Sequence, residues 1–238
     1  MLQPGEIERA LVVMAHPDDV DFGSAGTVAV LTDAGVEVVY CLVTDGDAGG
    51  FDLSIARPDM AAMRREEQTR AAKEVGVERL VFLGHGDGRV VADLTLRRDI
   101  SRVIRQVRPT VVIQQSPELN LARIYASHPD HLATAQACLA AVYPDARNPF
   151  AHTELLDEGL EPWSVPEVWI AGGPKPGDAI DVTDQVERKL RALLAHETQH
   201  QDPTGVEERV RAWMQLTAQA FGLPEGRMAE AYQVVDTR

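Results

Sequence analysis

The sequence predicts an α/β fold: a Rossmann-like, doubly wound and mostly parallel sheet in a single domain over residues 1–238. Three observations carry this. Short β-branched runs alternate with amphipathic segments, the pattern of successive βα units joined by right-handed crossovers. Two of the runs, 10–15 (ALVVMA) and 110–114 (TVVIQ), are apolar without alternation, as in strands covered on both faces. Each of these two is followed by a His- and Asp-rich cluster, beyond the strand end where open α/β sheets bind ligands.

In chain order, strands are expected at 10–15, 36–44, 79–83, 110–114 and 167–171, and helices at 59–76, 94–107, 131–142, 184–200 and 206–222. The segment 94–107 is the best defined. Leu96, Ile100, Val103, Ile104 and Val107 form one stripe, Asp93 is a candidate N-cap, and Pro109 stops the segment before the next strand. The expected strand order is near 3-2-1-4-5, which makes the first and fourth strands neighbours. The Pro- and Gly-rich stretch 159–180 reads as loops around a C-terminal edge strand, and no repeat or low-complexity linker divides the chain.

The balance is acidic, with 23 Lys and Arg against 37 Asp and Glu and a net charge of −14. That argues against nucleic acid as a partner, since such binders present a basic face. The apolar part of the N-terminus is too short for a signal peptide or a membrane span, so no membrane role is expected. Cys41 and Cys138 lie in apolar sequence and read as buried, reduced thiols, which makes the cytoplasm the expected compartment. Composition leaves homo-oligomerisation open.

The chemistry sits in the two clusters, His16-Pro17-Asp18-Asp19 and His128-Pro129-Asp130-His131. With strands 1 and 4 adjacent, they face each other at the switch point of the sheet. His16 and Asp19, three apart through a Pro turn, can face one ion, and His131 can supply a third ligand. Two imidazoles and a carboxylate suit Zn²⁺ in an open, catalytic arrangement, and suit Fe²⁺ as well. Asp18 is then left to take a proton from water. His128 can protonate a leaving group, and Asp130 can orient one of the imidazoles. The plain alternative is that both clusters only cap helix N-termini.

A second motif competes. His196-Glu197-Thr198-Gln199-His200 matches H-E-x-x-H, the zinc-peptidase pattern, although Pro203 follows almost at once. A metal-dependent phosphoesterase is the other alternative, but a two-metal clamp needs more converging carboxylates.

At these residues the chain resembles the PIG-L/LmbE-like N-deacetylase family, over most of its length. The resemblance includes AHPDD after the first strand, TDGDAGG after the second, Arg64 and Glu67 in RREEQTRAAKEVGV, LGHGDG after the third, HPDH after the fourth, and KLRALLAHETQ near the end. It implies a metal-dependent hydrolase that removes an N-acetyl group from an amino sugar or glycoside. The related alternative is an amidase acting on thiol-sugar conjugates. By resemblance, His16, Asp19 and His131 are metal ligands, Asp18 the general base, and His128 the general acid or oxyanion partner, tuned by Asp130. Arg64, Asp87 and Asp47 fall where family members contact the sugar portion, although Arg64 and Glu67 also read as a surface pair. Two departures stand out. Val20 occupies the place of the family's usual Glu, with Asp21 next. Ala126 stands where mycothiol deacetylases carry a Tyr, with Tyr125 one position back.

Overall fold

The computed structural model describes all 238 residues. β1 (Arg9–Met14) leads through α1 (Asp19–Gly23) and α2 (Ala25–Asp33) to β2 (Glu37–Thr44). Next come α3 (Arg57–Glu74), β3 (Arg79–His85), α4 (Leu94–Val107), β4 (Val111–Gln115), α5 (Pro129–Ala140), α6 (Glu154–Asp157) and β5 (Glu167–Ala171). β6 (Asp178–Asp181), α7 (Val186–Leu194), α8 (Pro203–Ala220) and β7 (Ala229–Asp236) complete the chain.

The seven strands form one sheet in the order β3-β2-β1-β4-β5-β7-β6. The first five are parallel, in the predicted order. The expectation of an edge strand at 167–171 is corrected: β7 returns from the end of the chain and pairs antiparallel with β5, and β6 pairs antiparallel with β7. β7 escapes a pattern search because its sequence, AEAYQVVD, buries a carboxylate (Glu230) beside apolar residues.

The absence of alternation in β1 has the anticipated cause. Ala10, Val12 and Met14 join one core layer, with Val28 and Leu31 of α2 and Ala71 of α3. Leu11 and Val13 join the other, with Ile100 and Ile104 of α4 and Cys138 of α5. A smaller cluster, including Leu190, Leu193, Val210 and Met214, welds α7 to α8. Both cysteines are buried free thiols, and burial pushes Cys41 up to about 12. No helix is long and apolar enough to cross a membrane.

Helix ends follow local hydrogen bonding. Asp93 caps α4 by accepting from the Leu96 N–H at 2.9 Å, and Arg108, at φ 54°, closes it before Pro109. α5 begins at Pro129 because the His128 side chain accepts from the Asp130 N–H at 3.2 Å. α2 was not anticipated: six of its nine residues are buried, so it shows little polar face to mark its period.

The predicted helix over 184–200 is corrected most. α7 ends at Leu194, and Glu197–Gln199 form a separate single turn. Tertiary hydrogen bonds outcompete the helix here. His196 turns inward onto Asp21 at 2.8 Å, and the Thr198 N–H and hydroxyl donate to Glu67, each at 2.8 Å. His196 and His200 therefore do not share a helical face, which removes the zinc-peptidase reading.

One buried ion pair holds the C-terminal addition to the rest. Lys189, fully buried, donates to Glu230 at 2.7 Å and to the Asp21 and Phe22 carbonyls at 2.9 and 2.7 Å. Glu230 also accepts from the Gly26 and Thr27 N–H groups at the start of α2. Glu230→Ala strands a buried ammonium and two amides, so it should lower stability by roughly 3–5 kcal/mol in denaturant titration. A loss under about 1 kcal/mol would mean that water replaces the pair.

Candidate active site

The turn after β1 separates two adjacent carboxylates. Asp18 lies in the left-handed region at φ 87°, a conformation that costs a non-glycine residue about 1 kcal/mol or more. Three contacts hold it. The Asp18 N–H donates to Gln68 Oε1 at 2.9 Å, the His16 N–H donates to Asp19 Oδ2 at 2.7 Å, and the Arg64 guanidinium donates to the Pro17 carbonyl. The consequence is that Asp18 points to Arg64 (2.9 Å), whereas Asp19 points between His16 Nδ1 (3.3 Å) and His131 Nε2 (3.1 Å).

His131 and His128 come from the first turn of α5 and its cap, brought to β1 by the β1–β4 pairing. The three imidazoles are mutual neighbours, with centroids 5.0 to 5.3 Å apart. The other nitrogen of His16, Nε2, faces Asp87 Oδ1 and Asp130 Oδ2, each at 3.2 Å. Asp130 is fixed in turn by the Gly88 and Val90 N–H groups at 2.7 and 3.2 Å. Its carboxylate therefore orients His16, and its backbone N–H, not the carboxylate, engages His128. That N–H occupies Nδ1 of His128, which assigns the ring proton of the neutral imidazole to Nε2.

Charge at the site is unbalanced. Asp18, Asp19, Asp87 and Asp130 converge there, and Arg64 offsets only one of them. Burial by itself would lower His16, but Asp19, Asp130 and Asp87 outweigh it and push its imidazole up to about 12. Burial likewise works to raise Asp19, yet the imidazoles of His131 and His16 hold it well below the usual carboxylate range. Burial pushes Asp18 up to about 6 against the pull of Arg64, with Asp19 adding to the rise. Partial burial and the other two imidazoles keep His128 below its ordinary value. Three carboxylates around His16 with no guanidinium or ammonium among them are short of a cation, and a divalent ion fits the shortage. The donor chemistry fits too. Asp19 lies within reach of one free nitrogen from each of two imidazoles, and the opposite edge of His16 is backed by carboxylates, the usual support of a metal-bound histidine. Asp19 reaches His16 and His131 separately, at 3.3 and 3.1 Å, whereas the groupings whose ligand atoms all lie within 4.8 Å of one another are His16 with His128 and His131, and His16 with Asp87 and Asp130. In the last, both carboxylates converge on the single nitrogen Nε2.

The residues expected near the sugar are engaged with protein partners. Arg64 is 3% exposed, behind Asp18, with Nη1 on the Gly46 carbonyl at 3.2 Å. It does not pair with Glu67 at the surface. Asp87 accepts from the Ala48 N–H at 3.0 Å and donates its own N–H to Asp47, which pairs with Arg57 at 2.6 Å. None of the three lines the cavity of about 840 Å³ that opens over Asp19 and His131.

Sequence reasoning missed a layer beneath Asp18. Val20 is fully buried in the core, and Asp21 next to it is the carboxylate that turns inward, between His196 at 2.8 Å and Gln68 at 2.9 Å. Gln68 carries that support to the Asp18 backbone. Gln68 lies one helical turn from Arg64, a spacing that was available as a signal. His196→Ala with His200→Ala should leave bound metal near wild type while lowering the midpoint of thermal unfolding, because a buried hydrogen bond worth roughly 1–3 kcal/mol is lost. Loss of all metal from the folded double variant would return these histidines to the ligand set.

Comparison with known proteins gives one consistent answer. Residues 11–142 match the family model described as PIG-L, GlcNAc-PI de-N-acetylase. The chain is 34% identical over 231 residues to a diacetylchitobiose deacetylase of Thermococcus kodakarensis, covering 97% of this chain and 84% of that protein. It is 31% identical over 198 residues to a probable N-acetyl-alpha-D-glucosaminyl L-malate deacetylase 2 of Bacillus anthracis, covering 80% and 81%. The solved N,N'-diacetylchitobiose deacetylase from Pyrococcus horikoshii superposes with a TM-score of 0.90 at 30% identity, over 98% of this chain and 85% of that one. With the fold, the two motifs and these relatives in agreement, this chain is a member of the PIG-L family of de-N-acetylases.

Proposed function

We propose that this protein is a metal-dependent N-deacetylase that hydrolyses the N-acetyl group of an amino sugar or glycoside, releasing acetate and a free amine. The observation that carries the reading is the division of labour at the left-handed turn, which sends Asp19 to two imidazoles and Asp18 to Arg64. His16 Nδ1, Asp19 and His131 Nε2 would hold the ion, Zn²⁺ or Fe²⁺, which when bound supplies Lewis-acid polarisation of the amide carbonyl and a more acidic water.

The remaining work falls to the chain's own groups. Asp18 takes the proton of the attacking water. Its position near 6, set by burial against Arg64, leaves it ionised at neutral pH and still basic enough to accept. Arg64 fixes the carboxylate and compensates its charge. His128 presents its Nε2–H to the charge that develops on the carbonyl oxygen, and can do so while neutral. The proton that Asp18 takes from water is the one returned to the departing amine. His128 keeps its Nε2–H, because its Nδ1 accepts from the Asp130 N–H and the neutral ring has no second proton to give. Asp130 and Asp87 keep His16 in one orientation. A phosphoesterase with two metals is disfavoured because both extra carboxylates are spent on one nitrogen of His16.

The test is amine release from N-acetylglucosaminides beside phosphate release from aryl phosphates. Treatment with chelator should abolish amine release, and Zn²⁺ or Fe²⁺ should restore it at about one ion per chain. Undiminished turnover in protein shown by elemental analysis to be metal-free would refute the reading, as would phosphate release alone.

A further inference from the structure

The cavity over Asp19 and His131 extends well beyond the catalytic cluster. At about 840 Å³ it is of a size for a ligand larger than one sugar ring. Asp19 is the only carboxylate among its lining residues, at the inner end. The outer charges are both positive, Arg123 before α5 and Arg209 on α8. In a chain of net charge −14 this is a local inversion.

Neither guanidinium is committed elsewhere. Arg211, on the same helix as Arg209, is paired with Glu187 and Glu207 at 2.8 Å. Arg123 and Arg209 have no such ion pair and no side-chain hydrogen bond. Arg123 instead lies over the Trp213 ring, 4.9 Å from its centroid, and 5.6 Å from that of Tyr125. Stacking uses the face of a guanidinium and leaves its in-plane N–H donors free. A planar, pre-oriented fork facing a cavity is suited to a carboxylate or a phosphate oxygen pair.

Resting on the deacetylase reading, we infer that the outer half of this cavity is a subsite for an anionic aglycone: a carboxylate or phosphate carried on the substrate beyond its N-acetyl sugar. Arg123, held by Trp213, is the specificity-determining residue, and Arg209 adds to it. The acidic catalytic end would repel an anion placed there, so the two arginines also set which end of the substrate enters first.

The experiment compares kcat/KM for four N-acetylglucosaminyl compounds. The carboxymethyl glycoside and the 1-phosphate are anionic; the methyl glycoside and N,N'-diacetylchitobiose are neutral. One of the anions should exceed both neutral compounds by roughly 10- to 100-fold, the scale of a charge-assisted bidentate contact. Which anion leads identifies the group. Arg123→Gln should bring that ratio close to unity, mainly through KM, and Arg123→Lys should restore it only in part, since the charge returns without the fork. In wild-type protein the ratio should shrink with added salt, a readout that needs no variant to fold. A wild-type ratio near unity, a better neutral disaccharide, or a ratio untouched by Arg123→Gln and Arg209→Gln would overturn the subsite. Calorimetric binding of the anionic compound that Arg123→Gln abolishes, without amine release from any of the four, would keep the subsite and remove the deacetylase reading.

Discussion

Asp18→Asn is expected to retain about one divalent ion per chain while kcat falls by about 10²–10⁴, the usual contribution of a positioned base. Three features of the structure favour this outcome. Asparagine tolerates the left-handed region better than other side chains, so the φ of 87° is kept. The Asp18 N–H bond to Gln68 involves only the backbone, so it survives the substitution. Asp19 is oriented by the His16 N–H and by two imidazoles, none of which touches the Asp18 side chain. What is lost is the proton acceptor and the counter-ion of Arg64, which keeps its bonds to the Gly46 and Pro17 carbonyls. KM should change little, because the missing interaction acts in the transition state. Asp18→Ala should cost more, since alanine removes the base and also strains the turn. Metal loss in Asp18→Asn, or a kcat within a few-fold of wild type, would exchange the roles given to the two aspartates.

The second large effect is on the metal. His131→Ala and His16→Ala should each weaken metal binding by more than the 10- to 100-fold typical of removing an outer partner such as Asp130, with activity lost in step. Thermal unfolding offers a readout that does not depend on turnover. Addition of Zn²⁺ to chelated wild-type protein should raise its unfolding midpoint, because an ion that binds only the folded chain stabilises it by mass action. The rise should vanish in His131→Ala, and it should persist in Asp18→Asn. Asp19→Asn should bind metal weakly and recover part of its activity in excess metal. A full Zn²⁺-induced shift in both histidine variants would place the ion elsewhere, whereas a shift lost in His16→Ala but kept in His131→Ala would point to His16 with Asp87 and Asp130.

Much of this was legible in the residues alone. A strand such as β1, buried on both faces, advertises itself by having no polar side, and its neighbour β4 does the same. Two adjacent parallel strands then bring HPDD and HPDH together, because topology alone sets where their carboxyl ends meet. Donor chemistry nominated His16, Asp19 and His131 from residue type and spacing. Tertiary structure decided what spacing could not. Asp18 and Asp19 are chemically identical neighbours, and only the backbone angle at 18, imposed by Gln68 and Arg64 of α3, gives them different partners. His196 and His200 have the spacing of a zinc site, but the helix ends at Leu194, before either of them, and a buried carboxylate at Asp21 draws His196 inward. The cavity wall from α8, with Arg209 and Trp213, carries no motif, because a packed face needs only apolar period and approximate volume. Short-range chemistry is written in the turns. Direction is set by burial and by hydrogen bonds between segments distant in the chain, since a polar group removed from water must turn to whatever partner the fold brings near.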